Sequence, residues 1–374
     1  MKIGILSGTF HPEVGGPPTY LLALLPDLQR RGHDIRVVCY GDAPPHDYGY
    51  PVQRISRRAS VPLRLVAYMR AAIELTRWCD VLYVQGYVFP LLLLKPLFRK
   101  RVVTKVVGDF SWEYARRHGL TELDVSAFQS APHSLKLRLL RAVYHAALRL
   151  SDAVIGPSDH IASLVRAWGV PPERIHVVHN AIPDSGLRLV ERAALRRELG
   201  LPVDQPLLAW VGRLINIKGP EVAIAALAHV PDAVLVMVGE GGLRADLEAL
   251  AAAYPGRVRF TGPQDHDQVL KLIRAADVFV LSSYTEGLSH VLLESLSVGT
   301  PAVATAVGGN LEVLTDGVNG LLVPPGSPTD LAAAIRRLLH DVELNARLTA
   351  GALRRGEDFS WSRTVERTEA LLRP

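Results

Sequence analysis

Cysteine is scarce: Cys39 and Cys79 are the only two in 374 residues, and neither has a partner in a CxxC spacing. A disulfide framework is excluded, and a reducing, cytoplasmic setting is expected. No GxxxxGKS or GxxxxGKT phosphate loop occurs. "GEGG" (239–242) has Arg244 where a GxGxxG fingerprint needs its third glycine, which argues against a dinucleotide oxidoreductase. The thirteen histidines form no metal pair at helical spacing, so no metal site is expected. The apolar run of "MKIGILSGTF" is too short for a signal peptide and reads as a first strand. "VLYVQGYVFPLLLLKPLF" (81–98) is interrupted by Gln85, Gly86, Pro90, Lys95 and Pro96, short of the roughly 20 clean residues of a membrane span. A strand at 81–85 followed by a buried or half-buried helix fits better; a surface helix resting on a bilayer is the alternative.

What is present suits two globular domains. The composition is 48% hydrophobic and 21% charged, over a length too great for one ordinary core. Residues 1–185 carry 23 Lys and Arg against 15 Asp and Glu, and residues 186–374 carry 19 against 22. A first half at +8 beside a second at −3 suggests that the first meets something anionic.

Strand-like runs at 2–7, 35–40, 81–85, 101–107, 153–158 and 175–180 alternate with helical patterns such as 18–32 and 134–150. A second series follows at 207–212, 233–239, 257–262, 277–283, 301–306 and 320–324. Such alternation predicts parallel sheets covered on both faces. A break in composition over 183–206 places the linker there. The expected fold is therefore α/β, two doubly wound domains facing across a cleft, each with a ligand crevice at its strand ends. A last helix is expected at about 360–372, capped by Ser360 or Ser362.

"TEGLSHVLLESLSVGTP" (285–301) sets Glu286 in a strand-to-helix loop and Glu294 inside an otherwise apolar helix running from about Ser289 to Val298. Unpaired N–H groups at that helix start suit an anion. At ~1.5 Å per residue, Glu294 lies roughly 7 Å along the axis, so a diphosphate at the tip has one acid on either side. A nucleoside diphosphate sugar fits, with the sugar against Glu286 and the ribose against Glu294. "VGRLINIKG" (211–219) adds Arg213 and Lys218, a fork and a point charge in the same crevice.

These stretches, with "VGEGGLRADLEAL" (238–250), "VGGNLEVLTDGVNGLLVPPGSPTDLAAAI" (307–335) and "FHPEVGGPPTYLLALLPDL" (10–28), resemble the retaining glycosyltransferases of family 4, which have the two-domain GT-B architecture. By that resemblance Arg213 and Lys218 hold the donor diphosphate, Glu286 the donor sugar and Glu294 the ribose. Gly239 and the Gly287, Leu288 and Ser289 backbone line the donor, and Gly15-Gly16 reach the diphosphate from the other domain. Many relatives carry His-Gly or His-Asp after the strand matching 101–107; here Gly108-Asp109 stands there. Asp109 is expected to take over that histidine's contact, and His118 lies too far along to match. "HNAIP" (179–183) stands where relatives often show Asn-Gly, and Asn180 is expected to shape the crossing into the linker. "DHD" (265–267) spells the Asp-x-Asp of metal-dependent glycosyltransferases, but its position suits an N-cap at Asp265 or Asp267.

The expected activity is retaining, metal-independent transfer of a hexose from a nucleotide diphosphate sugar to an acceptor hydroxyl, in the building of a cell-surface glycan, glycolipid or polysaccharide. No cofactor is expected. The acceptor would be a glycan or lipid-linked, with peripheral membrane contact through the basic first domain, at the inner face of the membrane, and no nucleic acid. The expected domains are 1–185 for the acceptor and 186–357 for the donor, with 358–374 packing back on the first. A GT-B sugar-nucleotide epimerase is the alternative enzyme, and a non-catalytic sugar-nucleotide sensor a third reading.

Overall fold

The computed structural model describes residues 1–13, 15–123, 125–182 and 185–373. The chain forms two compact units, Met1–Asn180 with Ser362–Pro374, and Ala181–Trp361.

The first unit is built on a seven-stranded parallel sheet. Its strands are β1 (Lys2–Ser7), β2 (Asp34–Tyr40), β3 (Val52–Ile55), β4 (Val81–Gln85), β5 (Arg101–Lys105), β6 (Ala153–Gly156) and β7 (Ile175–Val177), in the order β3-β2-β1-β4-β5-β6-β7. β4 is buried at every position, as a strand covered on both faces must be, and this is why its sequence does not alternate. β3 is the one strand absent from the sequence reading. "VQRI" is short, half polar and at the sheet edge, so it carries neither a buried run nor a full period-two pattern. The 81–98 segment is β4 followed by a helix, Leu91–Phe98, that buries Leu91 and Leu94. Among the described residues no helix is long and apolar enough to cross a membrane.

The second unit holds six parallel strands: β8 (Leu207–Val211), β9 (Val234–Val238), β10 (Val258–Gly262), β11 (Val278–Leu281), β12 (Ala302–Thr305) and β13 (Leu321–Val323), in the order β10-β9-β8-β11-β12-β13. Chain order runs outward from β8 to β9 and β10, then resumes on its other side at β11. The carboxyl ends of β8 and β11 thus form the switch point where such sheets bind ligands.

The unit boundary falls at Asn180/Ala181, five residues before the break expected at 185/186. Asn180 is buried and accepts a hydrogen bond from Lys105 Nζ of β5 (2.7 Å), whereas Ala181 and Ile182 already pack in the second unit's core. Residues 183 and 184 of the expected linker lie outside the described residues; its charged helix is Arg192–Glu198. The last helix spans Trp361–Leu372, with Ser360 just before it and Ser362 inside it. Thr368 Oγ1 lies 3.2 Å from Tyr20 Oη, and Glu369 meets Arg31, His33 and Arg373 at 3.0, 3.0 and 2.8 Å. Arg373 first, then His33 and Arg31, holds the Glu369 carboxyl down at about 2.

Candidate functional site

In the second unit the β8 loop turns through a short 3₁₀ segment, Asn216–Lys218, and lies on the end of β11. Gly219 makes this contact feasible: its φ is 57°, and a Cβ there would sit 2.3 Å from Ser282 O. Ser282 Oγ donates to Gly219 O (2.6 Å) and accepts from Trp210 Nε1 (3.1 Å), while Tyr284 N donates to Ile217 O (2.9 Å). Gly239 has a similar backbone reason, with φ 130° and an added Cβ only 2.0 Å from Gly212 O. It presses the β9 loop onto the loop that carries Arg213.

This stitching brings Lys218 to Glu286. Lys218 Nζ donates to Glu286 Oε1 at 2.7 Å, and Ser283 Oγ donates to the same oxygen at 2.6 Å. Glu286 is buried and Lys218 half-buried, so the pair is a fixed element of the site, open to solvent on the lysine's side. Arg213 is exposed and makes no ion pair among the described residues. Ser283 was not anticipated; only its place as the second polar residue after β11 could have pointed to it.

The helix starts at His290 and runs to Ser297, with Ser289 as its cap, accepting from Leu292 N at 3.4 Å. Gly287 is half-buried and Leu288 buried. Their loop meets the one after β12, where Gly309 N donates to Glu286 O (2.9 Å). Glu294 is 3% exposed, and its Oε2 has no hydrogen-bond partner among the described residues. Burial alone pushes its carboxyl up to about 7. Oε1 lies 3.6 Å from His266 Nδ1, and burial lowers that imidazole against the opposing pull of Asp267 and Asp265. His266 also escaped sequence reasoning, since it lies 28 positions before Glu294, on another helix with β11 between them. Asp265 is the N-cap of helix His266–Ala275, accepting from Gln268 N at 2.8 Å.

Gly15, at φ 151°, precedes helix Gly16–Arg30, whose first turn contains Pro17. Asp109 is 2% exposed and has both carboxylate oxygens engaged. Oδ1 accepts from Ser111 N and Trp112 N (2.8 and 3.1 Å), capping helix Phe110–Arg117, and Oδ2 accepts from Gln129 Nε2 (2.8 Å). His118 is exposed at that helix's other end, its Nδ1 2.8 Å from Tyr114 O. A residue the sequence reading passed over is Lys105: its ammonium is buried 3.4 Å from the Tyr20 ring centroid, and burial lowers it well below the usual lysine range.

Two family models match, "Glycosyltransferase Family 4" over residues 14–185 and "Glycosyl transferases group 1" over 191–355. D-inositol 3-phosphate glycosyltransferase of Xylanimonas cellulosilytica is 38% identical over 225 residues, 56% of this chain and 54% of that protein. Its namesake from Acidothermus cellulolyticus is 35% identical over 265 residues, 62% of this chain and 59% of that protein. The chain thus spans between half and three fifths of these relatives' length. Among solved structures, sucrose-phosphate synthase from Thermosynechococcus elongatus aligns with a TM-score of 0.82 at 23% identity, covering 99% of this chain and 98% of that one. Anabaena HepE in complex with UDP-glucose aligns at 0.80 and 20%, covering 99% of each chain. At these identities the structural likeness speaks for the fold alone. Together with the two switch-point sheets, these matches establish that the chain belongs to glycosyltransferase family 4 and has the GT-B fold.

Proposed function

We propose that the protein is a retaining glycosyltransferase that moves a sugar from a nucleoside diphosphate sugar to an acceptor hydroxyl. The observation that carries this is the Lys218–Glu286–Ser283 cluster beside the Ser289-capped helix, at the switch point of the second unit's sheet. Lys218 uses one of its three donors on Glu286, which leaves two for phosphate oxygens. Arg213 adds a planar fork, and the Gly287–Ser289 amides add the positive end of the helix. Three such groups lower the energy of a diphosphate as it leaves with the bonding electrons, without calling on a metal. Glu286 is held rigid enough to accept sugar hydroxyls, and the unpartnered Glu294 Oε2 suits a ribose hydroxyl.

In this reading the acceptor attacks from the leaving group's face and passes its proton to a phosphate oxygen. The acceptor, a glycan or a lipid-linked sugar, falls to the first unit. HepE supports a nucleotide sugar as donor, having been solved with UDP-glucose. A glycan or glycolipid product is consistent with WaaG, a structural neighbour named for lipopolysaccharide biosynthesis.

The test is a thermal-shift panel of UDP, GDP and ADP with their sugars, since a ligand that binds only the folded state raises apparent stability. A shift of several degrees with one base, and diphosphate release only when acceptor is added, is the expected result. Isomerised nucleotide sugar formed without acceptor would turn the assignment to an epimerase. Stabilisation with no turnover on any acceptor would turn it to a sensor.

A further inference from the structure

Three helices of the first unit expose apolar residues at neighbouring positions. Helix Val61–Trp78 follows β3, helix Leu91–Phe98 follows β4, and helix Leu135–Leu148 leads into β6. The second packs against both of the others. All three run antiparallel to the parallel strands they connect, so their first turns lie at the strands' carboxyl edge, the ligand-binding edge of such a sheet. Leu63 and Val66, Leu92 and Leu93, and Leu135 and Leu139 are exposed within the first two turns; Leu63 is 66% exposed and Leu135 81%. A soluble domain seldom leaves so many large aliphatics together in water.

The charges beside them in sequence are of one sign. Residues 57–73, 86–101 and 131–151 contain twelve Lys and Arg and no Asp or Glu. Arg58, Arg64 and Arg138 have no ion-pair partner among the described residues. Lys95 is spoken for, bonded to Asp152 and to Lys100 O. A protein interface of this kind would centre on aromatic anchors. Here the outward residues are leucine and valine ringed by cations, the composition that beds into the boundary of an anionic bilayer.

We propose that this face, formed by the first turns of the three helices, docks the protein onto an anionic phospholipid bilayer. The leucines enter the boundary between head groups and acyl chains, and the arginines meet lipid phosphates. Because the face adjoins the carboxyl edge of the first unit's sheet, an acceptor hydroxyl would be presented from the bilayer itself; this last step rests on the glycosyltransferase reading above.

The experiment is co-sedimentation of the full chain with phosphatidylcholine vesicles, with and without phosphatidylglycerol. Binding is expected only with the anionic lipid, falling with added salt. Arg64→Glu and Arg138→Glu should each weaken it about fivefold or more, and Leu63→Glu combined with Leu135→Glu more than about tenfold. Val342→Glu, at an exposed position of the second unit, should leave it unchanged, and all variants should keep the parent's melting temperature. Failure to bind anionic vesicles, or equal binding by the double leucine variant, would overturn the proposal. Equal binding to neutral vesicles would overturn the anionic assignment. If the leucine variants instead change the oligomeric state by gel filtration, the face is a contact between copies and the proposal is wrong. Nucleotide thermal shifts on the same preparation separate the two readings: a shift without vesicle binding removes the docking face alone, and vesicle binding without any shift removes the donor site alone.

Discussion

The two units share one construction, a parallel sheet covered by helices, and differ in what they set at the carboxyl edge of that sheet. In the second unit the edge holds a buried acid locked to a lysine, with an exposed arginine on the same loop and a second acid buried four residues into a helix. In the first, the candidate polar groups are tied off internally: Asp109 to helix amides and Gln129, Asn180 to Lys105. What the first unit leaves open is aliphatic and cationic surface. The exposed large aliphatics of the second are more scattered: Leu189, Val203, Leu250 and Val342 are well separated in sequence, and Leu311 and Val318 are the closest two, seven residues apart. The same scaffold thus carries a small, charge-dense cluster in one unit and exposed aliphatic and cationic helix turns in the other.

Lys218→Ala cuts deepest into this comparison. Removing one preorganised donor from a developing charge costs on the order of 10²–10³ in turnover. Melting temperature should fall by only a few degrees, because Glu286 keeps Ser283 as a donor and the lysine lies at the rim. Steady-state transfer and differential scanning calorimetry on the same variant check both halves. A turnover close to that of the parent would remove the phosphate role of Lys218, and with it the claim that the second unit carries the chemistry.

Glu294 sharpens the contrast through pH. Its carboxyl is pushed up to about 7, above the usual value near 4.5, because burial disfavours the charge. Below pH 4.5 folded and unfolded chains are both protonated there, and the acid costs nothing. Between about 4.5 and 7 only the unfolded chain ionises, so stability drains away as pH rises, levelling off above 7 at about 3 kcal/mol. Glu294→Gln lacks this loss, so urea melts should show it gaining on the parent from pH 5 to 7 and holding that gain at pH 8. If a ribose hydroxyl needs the ionised acid, nucleoside diphosphate affinity of the parent should rise about tenfold from pH 6 to 8, and the variant should bind weakly at both. Asp265 and Asp267 act on His266, and His290 stands one turn before Glu294 on its own helix. Repeating the titration with His266→Gln separates the histidine's part, and a flat parent profile would count against the whole account.

Much of the fold was legible because parallel strands buried on both faces write long apolar runs, as "AVLVMVG" does for β9. The edge strand β3 was not, since half of "VQRI" faces away from the core. In the candidate site, the meeting of Lys218 with Glu286 was legible, because both follow strands whose carboxyl ends are neighbours in the sheet. Ser283 and His266 were not, because their meaning comes from tertiary placement: a serine is ordinary after any strand, and a histidine beside an aspartate cap carries no sign of a buried acid on another helix. Lys105 was hidden for a related reason. A lysine at a strand end reads as solvated until Asn180 and the Tyr20 ring are seen around it. The leucine face lay partly inside a segment too broken to span a membrane, and its helices come together only in the fold.

The mildest change asks whether the first unit contributes a reacting group through Asp109, the place where relatives carry histidine. Asp109→Asn keeps an oxygen for Ser111 N and Trp112 N, so the cap survives, but turns an amide toward Gln129 Nε2, donor against donor. Gln129 cannot readily flip, because its Oε1 already accepts from Trp168 Nε1 and Arg141. The expected loss is about 1 kcal/mol, a few degrees in melting temperature. Asp109→Ala, which also drops the cap, should lose about twice that. With both oxygens committed inside the unit, kcat of Asp109→Asn should stay within about twofold of the parent, since a neutral cap is still a cap. A fall in kcat of a hundredfold with the melting temperature unchanged would put the carboxylate on the sugar instead, and the first unit would then supply chemistry as well as surface.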